Sequence, residues 1–117
     1  MVYALDSKGE LRARISLEDA AASDIEDIAV GACGNESCVY LADIGDNGAT
    51  RSEYALLRFV EPTIPDASRM SDLQTEFERY RFRYEDGSHN AEALMVAPDG
   101  AERSTRNISS PSAFVSP

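Results

Sequence analysis

Seven short runs of alternating apolar and polar residues, 2–5, 10–17, 25–30, 38–44, 54–60, 76–84 and 92–96, restrict what this chain can become. A period of two places successive side chains on opposite faces of an extended backbone, and no run carries the 3.6-residue spacing of an amphipathic helix. Turn chemistry separates the runs: Asp6-Ser7-Lys8-Gly9, Gly34-Asn35, Asp46-Asn47-Gly48, Glu85-Asp86-Gly87 and Pro98-Asp99-Gly100. The expected class is all-β, built from antiparallel strands.

The runs also echo one another. Tyr3-Ala4-Leu5 recurs as Tyr54-Ala55-Leu56, 51 positions on. Arg12-Ala13-Arg14-Ile15 alternates arginine with apolar residues, as does Arg79-Tyr80-Arg81-Phe82-Arg83-Tyr84. Asp24-Ile25-Glu26-Asp27-Ile28-Ala29-Val30 recurs as Asn90-Ala91-Glu92-Ala93-Leu94-Met95-Val96, 66 positions on. The two offsets differ by 15, the length of the polar, proline-containing stretch Glu61 to Thr75. Treating 61–75 as an inserted loop brings the matches to one period near 51. One full unit then spans 24–84 as four strands. Strand 38–44 is apolar on both faces, as suits an inner strand between neighbouring sheets. Strand 76–84 is half aromatic and half arginine, as suits an outer edge.

The pattern "DIEDIAVG…CVYLADIGDN" followed by "NAEALMVAPDG" resembles bacterial, usually exported, six-bladed β-propellers of the NHL-like and phytase-like kind, over roughly residues 2 to 100. The resemblance implies four-stranded antiparallel blades: the end of one blade at 2–17, a full blade at 24–84 with its inserted loop 61–75, and the first strand of a third at 90–97. It implies an incomplete ring within 1–100, since about four to eight blades are needed for closure. The polar, serine-rich 101–117 reads as an irregular or disordered tail. The chain is then a fragment, whose partners are the remaining blades or further copies of itself. The parent would be extracellular or periplasmic, although the N-terminus lacks the basic start and apolar core of a signal peptide.

Charge narrows the partners. With 11 Lys and Arg against 21 Asp and Glu, the net charge of −10 argues against nucleic acid and anionic membrane surfaces. No run of 18 apolar residues offers a bilayer span. The only cysteines, Cys33 and Cys38, flank four residues between two strand candidates, a spacing a disulfide can bridge. Such a link stabilises by about 2 kcal/mol in the chain-entropy model and points to an oxidising compartment. Free thiols and a metal pair are the alternatives; two thiolates alone make half a zinc site, and the one histidine, His89, is distant in sequence.

Acidic residues crowd one region: Asp24, Glu26, Asp27, Asp43 and Asp46, with Glu92 repeating the position of Glu26. In a ring, Glu26, Asp43, Asp46 and Glu92 could share a calcium ion. The EF-hand pattern fails, because with Asp43 first the third position is Gly45 and Glu53 falls eleventh. The other reading makes Asp43, Asp46 and Asn47 an Asx-type turn in which Gly45 and Gly48 supply positive φ. It gives Glu26 and Glu92 hydrogen bonds from backbone amides of the adjacent sheet. Nucleophilic catalysis has little footing, for Ser88-His89 has no evident orienting acid and no G-x-S-x-G occurs. Function therefore reads as a non-enzymatic binding or scaffold module of unknown ligand. The alternative is a remnant of a calcium-dependent, phytase- or lactonase-like hydrolase using Glu26, Asp43 and Glu92.

Overall fold

Alternation produces strands throughout. The computed structural model describes residues 1–66 and 68–97 and the backbone of 113–116, and among these there is no helix. Among the described residues nine strands form three sheets. The first contains β1 (Val2–Leu5), β2 (Leu11–Leu17) and β6 (Ser71–Thr75), in that order. The second runs β3 (Ile25–Cys33), β4 (Glu36–Asp43), β5 (Tyr54–Val60), β7 (Glu78–Phe82) as a wholly antiparallel meander. The third pairs β8 (Ala93–Val96) with β9 (Ala113–Ser116), also antiparallel. No ring closes among the described residues.

The second sheet lies between the other two. Val39, Leu41, Leu57 and Phe59 on one face pack with Ala13 and Ile15 of β2. On the other face Ala42, Tyr54 and Leu56 gather with Ile44 and Ala91, and Leu94 of β8 packs against them. This explains why β4 is apolar on both sides: from Cys38 to Asp43 every residue is buried, and a strand with packed neighbours above and below has no solvent face. At the sheet's outer edge, β7 turns half-buried Tyr80 and Phe82 toward the second cluster while Arg81 remains exposed.

The echo of Tyr3-Ala4-Leu5 in Tyr54-Ala55-Leu56 is not carried into the structure. Tyr54 is buried in the second cluster, whereas Tyr3 is 59% exposed and its neighbours Val2 and Ala4 face the second sheet. Tyr3 and Tyr54 therefore point to opposite sides, and their identity is no structural equivalence. Ala4 pairs with Ala13 and Val2 with Ile15 in the first sheet; Leu56 pairs with Tyr80 and Tyr54 with Phe82 in the second. Offsets of 52 for β1 onto β5 and 67 for β2 onto β7 superimpose both pairs with their faces matched; the register fixes only the sum of the two offsets, and the difference of 15 is carried over from the sequence comparison. Both strands of the β3-to-β8 match open antiparallel pairs: Ile28 opposes Leu41 and Val30 opposes Val39, and Leu94 opposes Val115 and Val96 opposes Ala113.

The segment 61–75 is not all loop. Its last five residues are β6, which leaves the second sheet, joins β2 in parallel over Ala13–Leu17, and returns as β7. Leu73 packs into the first cluster, Arg14 forms a two-pronged contact with Asp72 at 2.7 and 2.9 Å, and the Ser16 hydroxyl donates to the Leu73 carbonyl at 3.1 Å. The insertion thus straps two sheets together and covers the outer edge of β2. In the stretch read as an irregular tail, Ala113–Ser116 is strand β9; the Pro98-Asp99-Gly100 turn and residues 101–112 and 117 lie outside the described residues. Cys33 and Cys38 are bonded, with Cα atoms 5.8 Å apart. The hairpin is tighter than the cysteine spacing suggested: Cys33 opposes Glu36 across Gly34-Asn35, Gly34 takes φ 67°, and the disulfide runs diagonally because Cys38 opposes Gly31.

Candidate functional site

The acidic residues gather around the turn that follows β4, and they divide into three kinds. Asp43 and Asp46 are buried and fully engaged. The Asp43 carboxylate accepts from the amides of Ser23 (3.2 Å) and Asp24 (2.9 Å) and pairs with Arg51 Nη1 at 3.0 Å. Asp46 accepts from the amides of Thr50 and Arg51, both at 2.9 Å, and from the Tyr54 hydroxyl at 2.8 Å. Burial alone would raise the Asp46 carboxyl. The two amides, the hydroxyl and the Arg51 charge outweigh it and hold the group below its ordinary 3.8. The Asx-type reading therefore describes Asp46, while Asp43 ties the start of β3 to the end of β4.

Neither expected glycine supplies the positive φ of this turn. Ala49 does, at 48°, where its amide donates to the Asp46 carbonyl at 2.8 Å. Gly45 is needed for close approach instead: a Cβ there would collide with the carboxylates of Asp24 and Glu26. From the other side, Asn90 accepts from the Asp46 amide at 2.7 Å, the His89 amide donates to the Tyr54 hydroxyl at 2.9 Å, and the Ser88 hydroxyl donates to the Arg51 carbonyl at 2.6 Å. The 88–91 segment is stitched onto the turn through these bonds, and Ser88 is oriented away from any nucleophilic role. His89 does have an orienting acid, Asp86, with Nε2 to Oδ1 at 2.9 Å, on an exposed loop; that hydrogen bond holds the Asp86 carboxyl below its ordinary value.

Asp24, Glu26 and Glu92 form the second kind. Glu26 sits between the other two, and Glu92 accepts from the Asn90 side-chain amide at 2.7 Å. Burial first, then the charges of Glu92 and Asp24, push the Glu26 carboxyl above its ordinary 4.5. A native value above the unfolded one means the folded chain holds the proton more tightly, so stability falls as pH rises from 4.5 through the raised value. Glu26→Gln is expected to raise Tm at pH 7, where the repulsion is fully present, and to leave Tm unchanged below the ordinary glutamate range. Paired thermal melts at the two pH values check this, and a lower Tm for the variant at neutral pH would contradict it.

Asp27 is the third kind, and sequence reasoning gave its role to Glu26 and Glu92. Its Oδ2 accepts from the Leu94 amide at 2.8 Å and its Oδ1 from its own neighbour, the Ile28 amide, at 2.8 Å. Asp27, at the bulge where β3 slips register between Ile25 and Asp27, thus fixes β8 onto β3. The bulge is the only local feature that singles it out, and period-two reading does not reveal bulges.

The four candidate calcium ligands Glu26, Asp43, Asp46 and Glu92 accordingly split: Glu26 and Glu92 adjoin each other, and Asp43 and Asp46 serve separate amide sets. Among the described residues no group of three or more His, Cys, Asp or Glu side chains is arranged to hold a metal ion. A polar recess of about 360 Å³ lies nearby, with Asp43, Arg51, Arg79 and Arg81 among its walls. Its guanidinium groups are engaged: Arg51 with Asp43 and the Gly45 carbonyl, Arg79 with the Ala21 carbonyl, Arg81 with Glu53. Each of these guanidinium groups is thus tied to a carboxylate or a backbone carbonyl. No family model, no curated protein and no solved structure matches this chain.

Proposed function

We propose that this chain is a segment of a larger, exported β-propeller of the NHL-like or phytase-like type, acting as a non-enzymatic binding or scaffold module. The observation that carries the reading is the succession of three sheets, each covering the next, with an antiparallel β1–β2 pair in the first and an antiparallel β5–β7 pair in the second. Among the described residues the first and third sheets hold three and two strands against the four of the second, which fits one four-stranded unit flanked by parts of its neighbours. The Cys33–Cys38 bond supports an oxidising compartment. Its partners are then the remaining blades, or further copies of the chain where those are missing. Extending the polypeptide with the reading frames that flank it in the genome tests the idea. The extended protein should melt in one transition above the Tm of the chain alone. Independent melting, or flanking frames without the repeat, would refute it.

A calcium-dependent hydrolase remnant is the second reading, and the crowding of Glu26 by Glu92 and Asp24 is what favours it. Calorimetric titration with calcium separates the two. A heat of binding abolished by Glu26→Gln would support the hydrolase, and the scaffold reading expects none.

A further inference from the structure

Among the described residues β1 of the first sheet pairs only with β2, which leaves its other edge open there. On the stacked-sheet reading β1 corresponds to β5 and β2 to β7, each an antiparallel pair, so the strands expected beside β1 correspond to β4 and β3. Across the gap lies a groove of about 460 Å³, with Met1, Val2, Ile25, Ile28, Leu41 and Leu57 among its walls. Ile28 is 53% exposed and Val30 60% exposed, both on the face of β3 that looks toward the first sheet. Their counterparts behave differently: Leu94 and Val96 of β8 are half-buried, because they rest on the second sheet. There Val96 lies so close to Gly31 that a Cβ at Gly31 would meet Val96 Cγ1 at 2.8 Å. The molecule thus displays, one sheet further on, what covers residues in this position: an inner antiparallel hairpin with a glycine beneath the valine.

We propose that the open edge of β1 receives a two-stranded antiparallel hairpin, contributed by another part of the larger protein, which continues the first sheet and lays small residues under Ile28 and Val30. The inference rests on the stacked-sheet reading above. Backbone hydrogen bonds along β1 would provide the affinity, and the space under Val30 the selectivity.

The chain's own hairpin serves as probe: the oxidised peptide Ile28–Asp43, closed by Cys33–Cys38, added to the full chain. Hydrogen exchange at the β1 amides facing the open edge should slow by roughly tenfold at saturation. The same peptide carrying Gly31→Val should give no such slowing, since the added bulk meets Val30. Two results would overturn the inference: equal protection by both peptides, or protection confined to the edges of β3 or β8. Either of these leaves the propeller reading standing, because that reading is tested by melting of the extended protein. At a chain concentration too low for self-association, slow exchange of β1 without peptide would mean that the chain already covers this edge, and would also overturn the inference.

Discussion

Replacing Asp43 by alanine is expected to lower stability by about 3 kcal/mol, the penalty for leaving buried donors without an acceptor and a guanidinium without its counter-charge. Asp43 is 2% exposed and serves the amides of Ser23 and Asp24 and the side chain of Arg51 at once. The substitution removes an acceptor from all three and returns no apolar contact of equal size. On the usual scaling this is a fall in Tm of roughly 10–20 °C. Asp43→Asn keeps a carbonyl oxygen and should recover part of the loss. Thermal denaturation of the two variants beside the parent measures the effect; an Asp43→Ala protein as stable as the parent would remove this carboxylate from any structural role.

Leu57→Ala is expected to cost a similar amount, about 3 kcal/mol, for a different reason. Leu57 is 1% exposed at the centre of β5, opposite Leu41 on one side and Arg79 on the other, and it packs with Ala13, Ile15, Val39 and Phe59. Truncation leaves a cavity where the first and second sheets meet, and strands held in a ladder collapse poorly into such a gap. Against the 5–15 kcal/mol typical of a folded domain, this is a large share of the total. Val60→Ala, at a residue 45% exposed, should cost far less. Urea denaturation that ranks the two variants alike would show that the cluster between the sheets is not the main core.

Strand existence was legible because period two is a local signal. β1 and β5 match their runs residue for residue, and β4 was recognisable as doubly covered from its apolar content alone. What escaped was decided at long range. The β6 segment Ser-Asp-Leu-Gln-Thr holds one apolar residue and owes its strand form to β2, 58 positions away; nothing near it announces the partner. β9 was hidden in the same way by its polar surroundings. The Tyr-Ala-Leu match misled because letters repeat without regard to face, and a slip of one residue in a strand inverts every side chain. The acidic cluster was legible as a neighbourhood but not as roles. Which carboxylate meets an amide, an arginine or another carboxylate depends on the bulge in β3 and on how the 88–91 segment docks, and neither is written in spacing.

The central claim is that β4 and β5 are covered on both faces while, among the described residues, an apolar flank stays open beside β1 and β3. Sedimentation velocity over a concentration series, with salt enough to screen the net charge of −10, tests it most directly. The account predicts a sedimentation coefficient that rises with concentration in the parent chain and stays flat when Ile28→Lys and Val30→Lys are combined. A single monomeric species in the parent at every concentration would contradict it.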